Sequence, residues 1–211
     1  MSAILTDVCV NAMLDSAVSG AIGTATHLGL HTTLGSSGTE VTGGSPAYAR
    51  KSFTWASAAS RSKDISASVT FDVPAGTTVV AVQAWSASTA GTSRAWLPAG
   101  SSARRAFSVD ATGVTNNDVF SPAHGLVADN RVVFWATIGA ALPTGLSEDT
   151  GYWVIATGLA TDSFRVSTTQ GGSAVDITAI GDGDVQKYTP EVFAAQGTYQ
   201  VTSFAVSLPT G

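Results

Sequence analysis

The chain of 211 residues is long enough for one large or two small domains that fold without metal or disulfide staples. Ten Lys and Arg against fifteen Asp and Glu leave a formal net charge of -5, too little positive charge to neutralise a row of phosphates, which excludes DNA or RNA as the main partner. The single cysteine, Cys9, rules out an internal disulfide, and no window approaches the roughly 18 apolar residues of a membrane span.

The opening residues MSAILTDV carry no basic stretch followed by a long apolar run, so synthesis in a cytoplasm without a secretory signal is expected. Thr6 is placed to cap a helix whose first turn holds Asp7. Leu5, Val8, Cys9, Ala12, Met13 and Ala17 follow helical spacing and predict one apolar stripe, with Cys9 a small buried hydrophobe on it and Gly20 the stop.

Ala25 to Leu34, ATHLGLHTTL, alternates with a period of two and predicts a half-buried core strand: Leu28, Leu30, Thr32 and Leu34 inward, His27, Gly29, His31 and Thr33 on the other face. Gly35 to Pro46 reads as a loop, Tyr48 to Trp55 as the next strand, and Ala56 to Asp64 as a further loop. Ile65, Ala67, Val69, Phe71 and Val73 give the cleanest strand alternation. The turn at Pro74 to Gly76 predicts that Thr77 to Ala87 is its hairpin partner, with a short strand following at Ser93 to Leu97.

From about Arg105 the pattern changes to short strands separated by turns: Phe107 to Asp110, Arg131 to Thr137, Tyr152 to Thr157, Ser163 to Val166, Ala174 to Ile177 and Val185 to Tyr188. Connectors are expected at Ala123 to Gly125, Leu142 to Gly145 and Gly181 to Gly183. Residues 191 to 209 alternate again, with Tyr199, Val201, Phe204 and Val206 as core candidates and a slip of phase after Val201. They have no partner of their own and are expected to complete the sheet begun by the N-terminal region. The expected fold is therefore mainly β: a discontinuous β-sandwich-like domain of residues 1–104 and 189–211 with one N-terminal helix, and an inserted small β-barrel or sandwich module at 105–188.

No set of residues predicts catalysis. His27 and His31 would be about 13 Å apart along a strand, too far to share a metal, and are expected at a surface or interface. Asp182 and Asp184 in AIGDGDV lack the other ligands of a calcium loop and read as a turn. Glu148 and Asp149 are adjacent and point apart on an extended chain, so they read as solvated loop residues. The turn around His124 accounts for that histidine. Neither a phosphate-binding loop, a nucleophile elbow nor a zinc-helix motif is present, and the expectation is a non-enzyme with no cofactor and no metal. Five tryptophans fall on predicted strands, where large rings mean core or subunit contact; Trp85, Trp96, Trp135 and Trp153 are the candidate surface or interface aromatics.

The order LGLHTTLG, TEVTGG, YARKSFTW, VTFDVPAGTTVVAVQAW and FAAQGTYQVTSFAVSLP resembles a family of bacteriophage minor tail proteins, often labelled tail fibre proteins. The matching features are Leu30 to Thr32, Glu40 to Arg50, Phe71 to Gly76 and Trp85. The segments around His124 to Leu126, Gly145 to Val154 and Ser163 to Val166 look like a small β module that recurs in phage tail proteins. The resemblance implies a structural virion protein of the tail, acting by self-association, as a trimer in the manner common to tail-tip and fibre proteins, and by docking to other tail proteins, with a contribution to host attachment. A host cell-wall glycan binder and a head-decoration protein are the alternatives.

Overall fold

The computed structural model describes residues 6–16, 21–137 and 140–207, and the chain is mainly β with two α-helices among the described residues. It divides into two units, Met1–Leu97 with Glu191–Gly211, and Pro98–Pro190. In chain order the first unit holds α1 (Asp7–Asp15), a 3-10 turn at Ile22–Thr24, β1 (His27–His31), β2 (Lys51–Ser52), β3 (Ser62–Lys63), β4 (Val69–Val73), β5 (Thr77–Val79), β6 (Ala81–Trp85) and β7 (Ser93–Pro98). The second holds β8 (Arg105–Val109), α2 (Ala111–Asn116), β9 (Val119–Phe120), β10 (Arg131–Trp135), β11 (Tyr152–Ile155), β12 (Ser163–Ser167) and β13 (Gly181–Tyr188). The chain then returns to the first unit as β14 (Glu191–Phe193), β15 (Gly197–Val201) and β16 (Val206–Ser207).

Thr6 caps α1 as its hydroxyl accepts the Cys9 N–H, but the helix packs on a different face from the one its apolar spacing predicts. Val10 and Leu14 are buried, whereas Cys9 is exposed and Val8 and Met13 are 79% and 52% exposed. The cause is a polar row at i, i+4 and i+8. Asp7 pairs with the Arg61 guanidinium at 3.2 Å, Asn11 Oδ1 accepts the Arg61 N–H, and Asp15 accepts from the Ala58 N–H and from Lys63 Nζ. These contacts turn the 7, 11, 15 side toward β3 and leave the Val8, Cys9, Met13 side outward. Leu5, Ala17 and the expected stop at Gly20 lie outside the described residues.

β1 is buried on both faces, not one: Leu28, Leu30 and His31 are all at or below 1% exposure. It pairs antiparallel with β6 along its whole length and with β2 at His27 and Leu28 only, in a four-stranded sheet of order β2-β1-β6-β7. The expected strand over Tyr48 to Trp55 shrinks to Lys51 and Ser52 because side chains take over the ladder, as described below. The expected hairpin across Pro74 to Gly76 does not form. β6 is drawn to β1, and β5 and β4 pair instead with the end of the chain, β14 with β5 and β15 with β4, while β16 pairs with β3. The phase slip after Val201 is a break between β15 and β16 held by Asp64, whose carboxylate accepts from the Phe204 N–H at 2.7 Å and the Ser203 hydroxyl at 2.7 Å.

The second unit is a closed six-stranded antiparallel barrel, β10-β11-β12-β9-β8-β13, which leaves no sheet edge open. Alternate residues point inward: Phe107 and Val109 from β8, Val132 and Phe134 from β10, Tyr152 and Val154 from β11, Phe164 and Val166 from β12. Phe134 sits at the centre, edge-on to Phe107 at 5.1 Å and Tyr152 at 5.5 Å and stacked on Phe164 at 6.4 Å. The glycines at 181 and 183, expected in a connector, lie within β13. A Cβ at Gly183 would stand 2.5 Å from the Trp135 carbonyl and 2.9 Å from the Phe107 ring, so a strand with no side chain there is what lets the core close. Asp182 and Asp184 are accordingly strand residues, opposite Ser108 and Ala106, and not a turn. No strand forms at Ala174 to Ile177, where the Ile177 N–H is taken by the Asn117 side chain, and α2 and β9 add to the elements expected from the sequence.

The segment entering this unit lies along the one leaving it. Thr189 N–H donates to the Ala99 carbonyl, Ser102 N–H to Lys187 O, and Gln186 Nε2 to Ser102 O at 2.7 Å.

Candidate functional site

Glu40, Tyr48, Arg50 and Trp85 of the first unit converge on one polar cluster over β1. Its position is set by Gly29. A Cβ there would lie 3.0 Å from Glu40 Oε1, 3.2 Å from the Tyr48 hydroxyl and 3.3 Å from Trp85 Nε1, so the bare backbone provides the floor. Trp85, across from His27 in the β1–β6 register, lays its indole over this floor and stacks on His31 at 5.8 Å.

Arg50 lies against the same indole, its guanidinium carbon 3.7 Å from the ring centroid. The guanidinium grips Glu40 with two bonds of 2.8 Å and donates to the Ala87 and Ala90 carbonyls at 3.1 and 2.6 Å. Tyr48 donates to Glu40 Oε1 at 3.1 Å and its oxygen accepts the Leu30 N–H at 2.7 Å. A phenol thus replaces the neighbouring strand at the β1 edge, with the Val41 N–H on the Leu30 carbonyl beside it. Burial raises the Tyr48 pKa well above the usual phenol range.

His31, expected at a surface or interface, is buried within the chain at 1% exposure. Its Nδ1 faces the Gly38 carbonyl at 2.9 Å and must carry the proton, since a carbonyl only accepts. Burial lowers its pKa, with the Gly38 carbonyl working in the opposite direction. Gln83 reaches the Gly35 carbonyl from the same sheet. The cluster therefore pins three loops, those carrying Gly35 to Gly38, Glu40 to Arg50 and Ala87 to Ala90, to one strand. Glu40, Tyr48 and Arg50 spend their hydrogen-bonding groups on one another and on the backbone.

The four candidate aromatics do not meet in one place. Trp85 belongs to this cluster, and Trp96 is half-buried on β7. Trp135 is half-buried on the barrel, its Nε1 donating to Gln186 at 3.1 Å and its ring covered by Arg104 at 3.9 Å. Trp153 is half-buried on β11 with Arg131 over it at 4.4 Å. Three of the four rings thus have a guanidinium on one face. Glu148 holds the Ala136 N–H at 2.8 Å; burial, with the Glu148 charge next, raises the pKa of Asp149. His124 is buried, its Nδ1 accepting the Leu126 N–H at 2.9 Å and its Nε2 facing the Ser163 carbonyl, which accounts for the histidine within the turn as expected.

In the sequence Glu40 to Arg50 is one stretch and Trp85 stands apart from it, and nothing in either shows that they converge. The signal for it is an Arg, a Glu and a Tyr in a chain with only 12% charged residues, beside a strand glycine. In the comparisons, no protein-family model, no curated protein and no solved structure matches the chain.

Proposed function

We propose that the chain is a non-enzymatic structural component of a bacteriophage virion, a minor tail protein that works by self-association and by docking to neighbouring tail proteins. The observation that supports this reading is that three of the four stretches in which the sequence resembles tail proteins, Leu30 to Thr32, Glu40 to Arg50 and Trp85, meet in the cluster on β1, while Phe71 to Gly76 lies outside its hydrogen bonds. Side chains whose hydrogen-bonding groups are spent on holding loops in place form a framework and leave no group for a reaction. The outward face of α1, where Val8 and Met13 stand exposed, supports association through the first unit.

The test is gold-labelled antibody against the chain on particles of the phage that encodes it, together with light scattering on the purified chain. Label at the tail and an oligomer, with a trimer favoured, are expected. Label on the head would replace the reading with a decoration protein. A monomer that is absent from particles would overturn it.

A further inference from the structure

A cleft lies at the end of the barrel where β8 begins and β13 finishes, lined by residues of the second unit alone. On β8, Arg105 shares the inward face of Phe107 and Val109, one step beyond the core; on β13, Lys187 shares the face of Val185 in the same way. Both side chains therefore rise from the core to the rim. The cleft between them has a volume of about 260 Å³, with Val185 and Leu126 among its lining and His124 and Ser102 at its sides.

Three features make this cleft selective by sign. It is lined by two cations and by no carboxylate, in a chain whose net charge is -5. Among the described residues neither Arg105 nor Lys187 forms an ion pair; Arg94, Arg104 and Arg131 likewise have none, but of these five only Arg105 and Lys187 line the cleft. The His124 ring has both nitrogens engaged inside the protein, so it serves as a fixed wall and leaves the two cations as the free donors. Barrel mouths are recurrent ligand sites, and a volume just below that of a drug-sized pocket has room for a compact anion or the end of a longer molecule.

We propose that this cleft binds a small organic anion, a carboxylate or phosphate held between Arg105 and Lys187 on a compact body that rests on Val185 and Leu126. The guanidinium supplies the paired donors that a planar or tetrahedral oxyanion accepts, and the ammonium supplies a second point charge. The inference does not rest on the tail reading, since the cleft belongs to the chain itself wherever the chain resides.

Amide NMR on the full chain tests it, with glucuronate, glucose 6-phosphate and neutral methyl glucoside as probes. Saturable shifts at Gly125, Leu126 and Lys187 are expected with one or both anions and not with the neutral sugar. Response to glucuronate alone assigns a carboxylate site, and response to the phosphate alone a phosphate site. The R105Q/K187Q double variant should weaken binding at least tenfold while its spectrum elsewhere stays that of the parent chain. Should the double variant not fold, R105E alone is read in the same way. No saturable shift with either anion, equal binding of the neutral sugar, or unchanged affinity in the variants overturns the proposal.

Discussion

Replacing Arg50 by alanine should unlock the first unit and leave the barrel untouched. The Arg50 side chain is only 8% exposed and its partner Glu40 26%. Taking one member from a buried ion pair costs roughly 3 to 5 kcal/mol, because the other charge stays behind without a partner. Partial access of water to Glu40 puts the loss at the low end. The two backbone carbonyls and the Trp85 face that Arg50 also serves add to it, though not in full, since they belong to one network. About 3 kcal/mol is expected for R50A, and about 2 kcal/mol for R50K, which keeps the charge but loses the two-pronged grip. Amide hydrogen exchange read by mass spectrometry resolves the two units separately. A loss of about 3 kcal/mol speeds exchange in β1 and β6 more than 100-fold where it proceeds by unfolding of that unit. Amides of β10 and β13 should not change. A change below about fivefold in β1, or an equal change in the barrel, would refute the reasoning.

In the barrel, F134A removes the ring that Phe107, Tyr152 and Phe164 pack around and should cost about 3 to 5 kcal/mol, read as a lower calorimetric transition for that unit alone. The buried His31 makes the first unit sensitive to acid. Its folded pKa lies below the ordinary 6.5, so the unfolded chain takes up the proton first. Stability is intact above about pH 6.5 and falls as pH drops below it, by at most about 1.4 kcal/mol per pH unit. H31Q should remove the part of the slope between pH 7 and 5 that is due to this residue, measured by urea titration at each pH; an unchanged slope would contradict the assignment. The double variant V8D/M13D, on the outward face of α1, should shift the proposed oligomer toward monomer in light scattering without loss of β structure, and an assembly unchanged from that of the parent chain would remove that face from the proposed association surface.

Much of this architecture is written in local patterns. The alternation in LGLH and VTFDV places β1 and β4 because period two is a property of the strand itself, and the short unbroken apolar run of RVVFW marks β10 as a strand buried on both faces. What the sequence hides is what depends on distant partners. The Thr77 to Ala87 stretch looks like one hairpin arm, yet it splits into β5 and β6 because residues 191 to 193 claim the first part and β1 the second. Helix α1 turns its apolar Val8 and Met13 outward because Asp7, Asn11 and Asp15 find partners about fifty residues away, which no helical wheel contains. Gly183 reads as a turn residue until the Phe107 ring is seen to need its space. The candidate site is hidden in the same way. Glu40, Tyr48 and Arg50 are close in sequence, but only the bare backbone of Gly29 and the indole of Trp85 give them a common centre.

The last twenty-odd residues bind the first unit through β14, β15 and β16, whereas the barrel closes entirely within residues 98 to 190. A chain ended after Pro190 separates these dependences in one hydrogen-exchange experiment. Amides of β4, β5 and β6 should lose their protection while those of β8 to β13 retain it. Full protection of β4 and β5 in the shortened chain, or collapse of the barrel with them, would contradict the account.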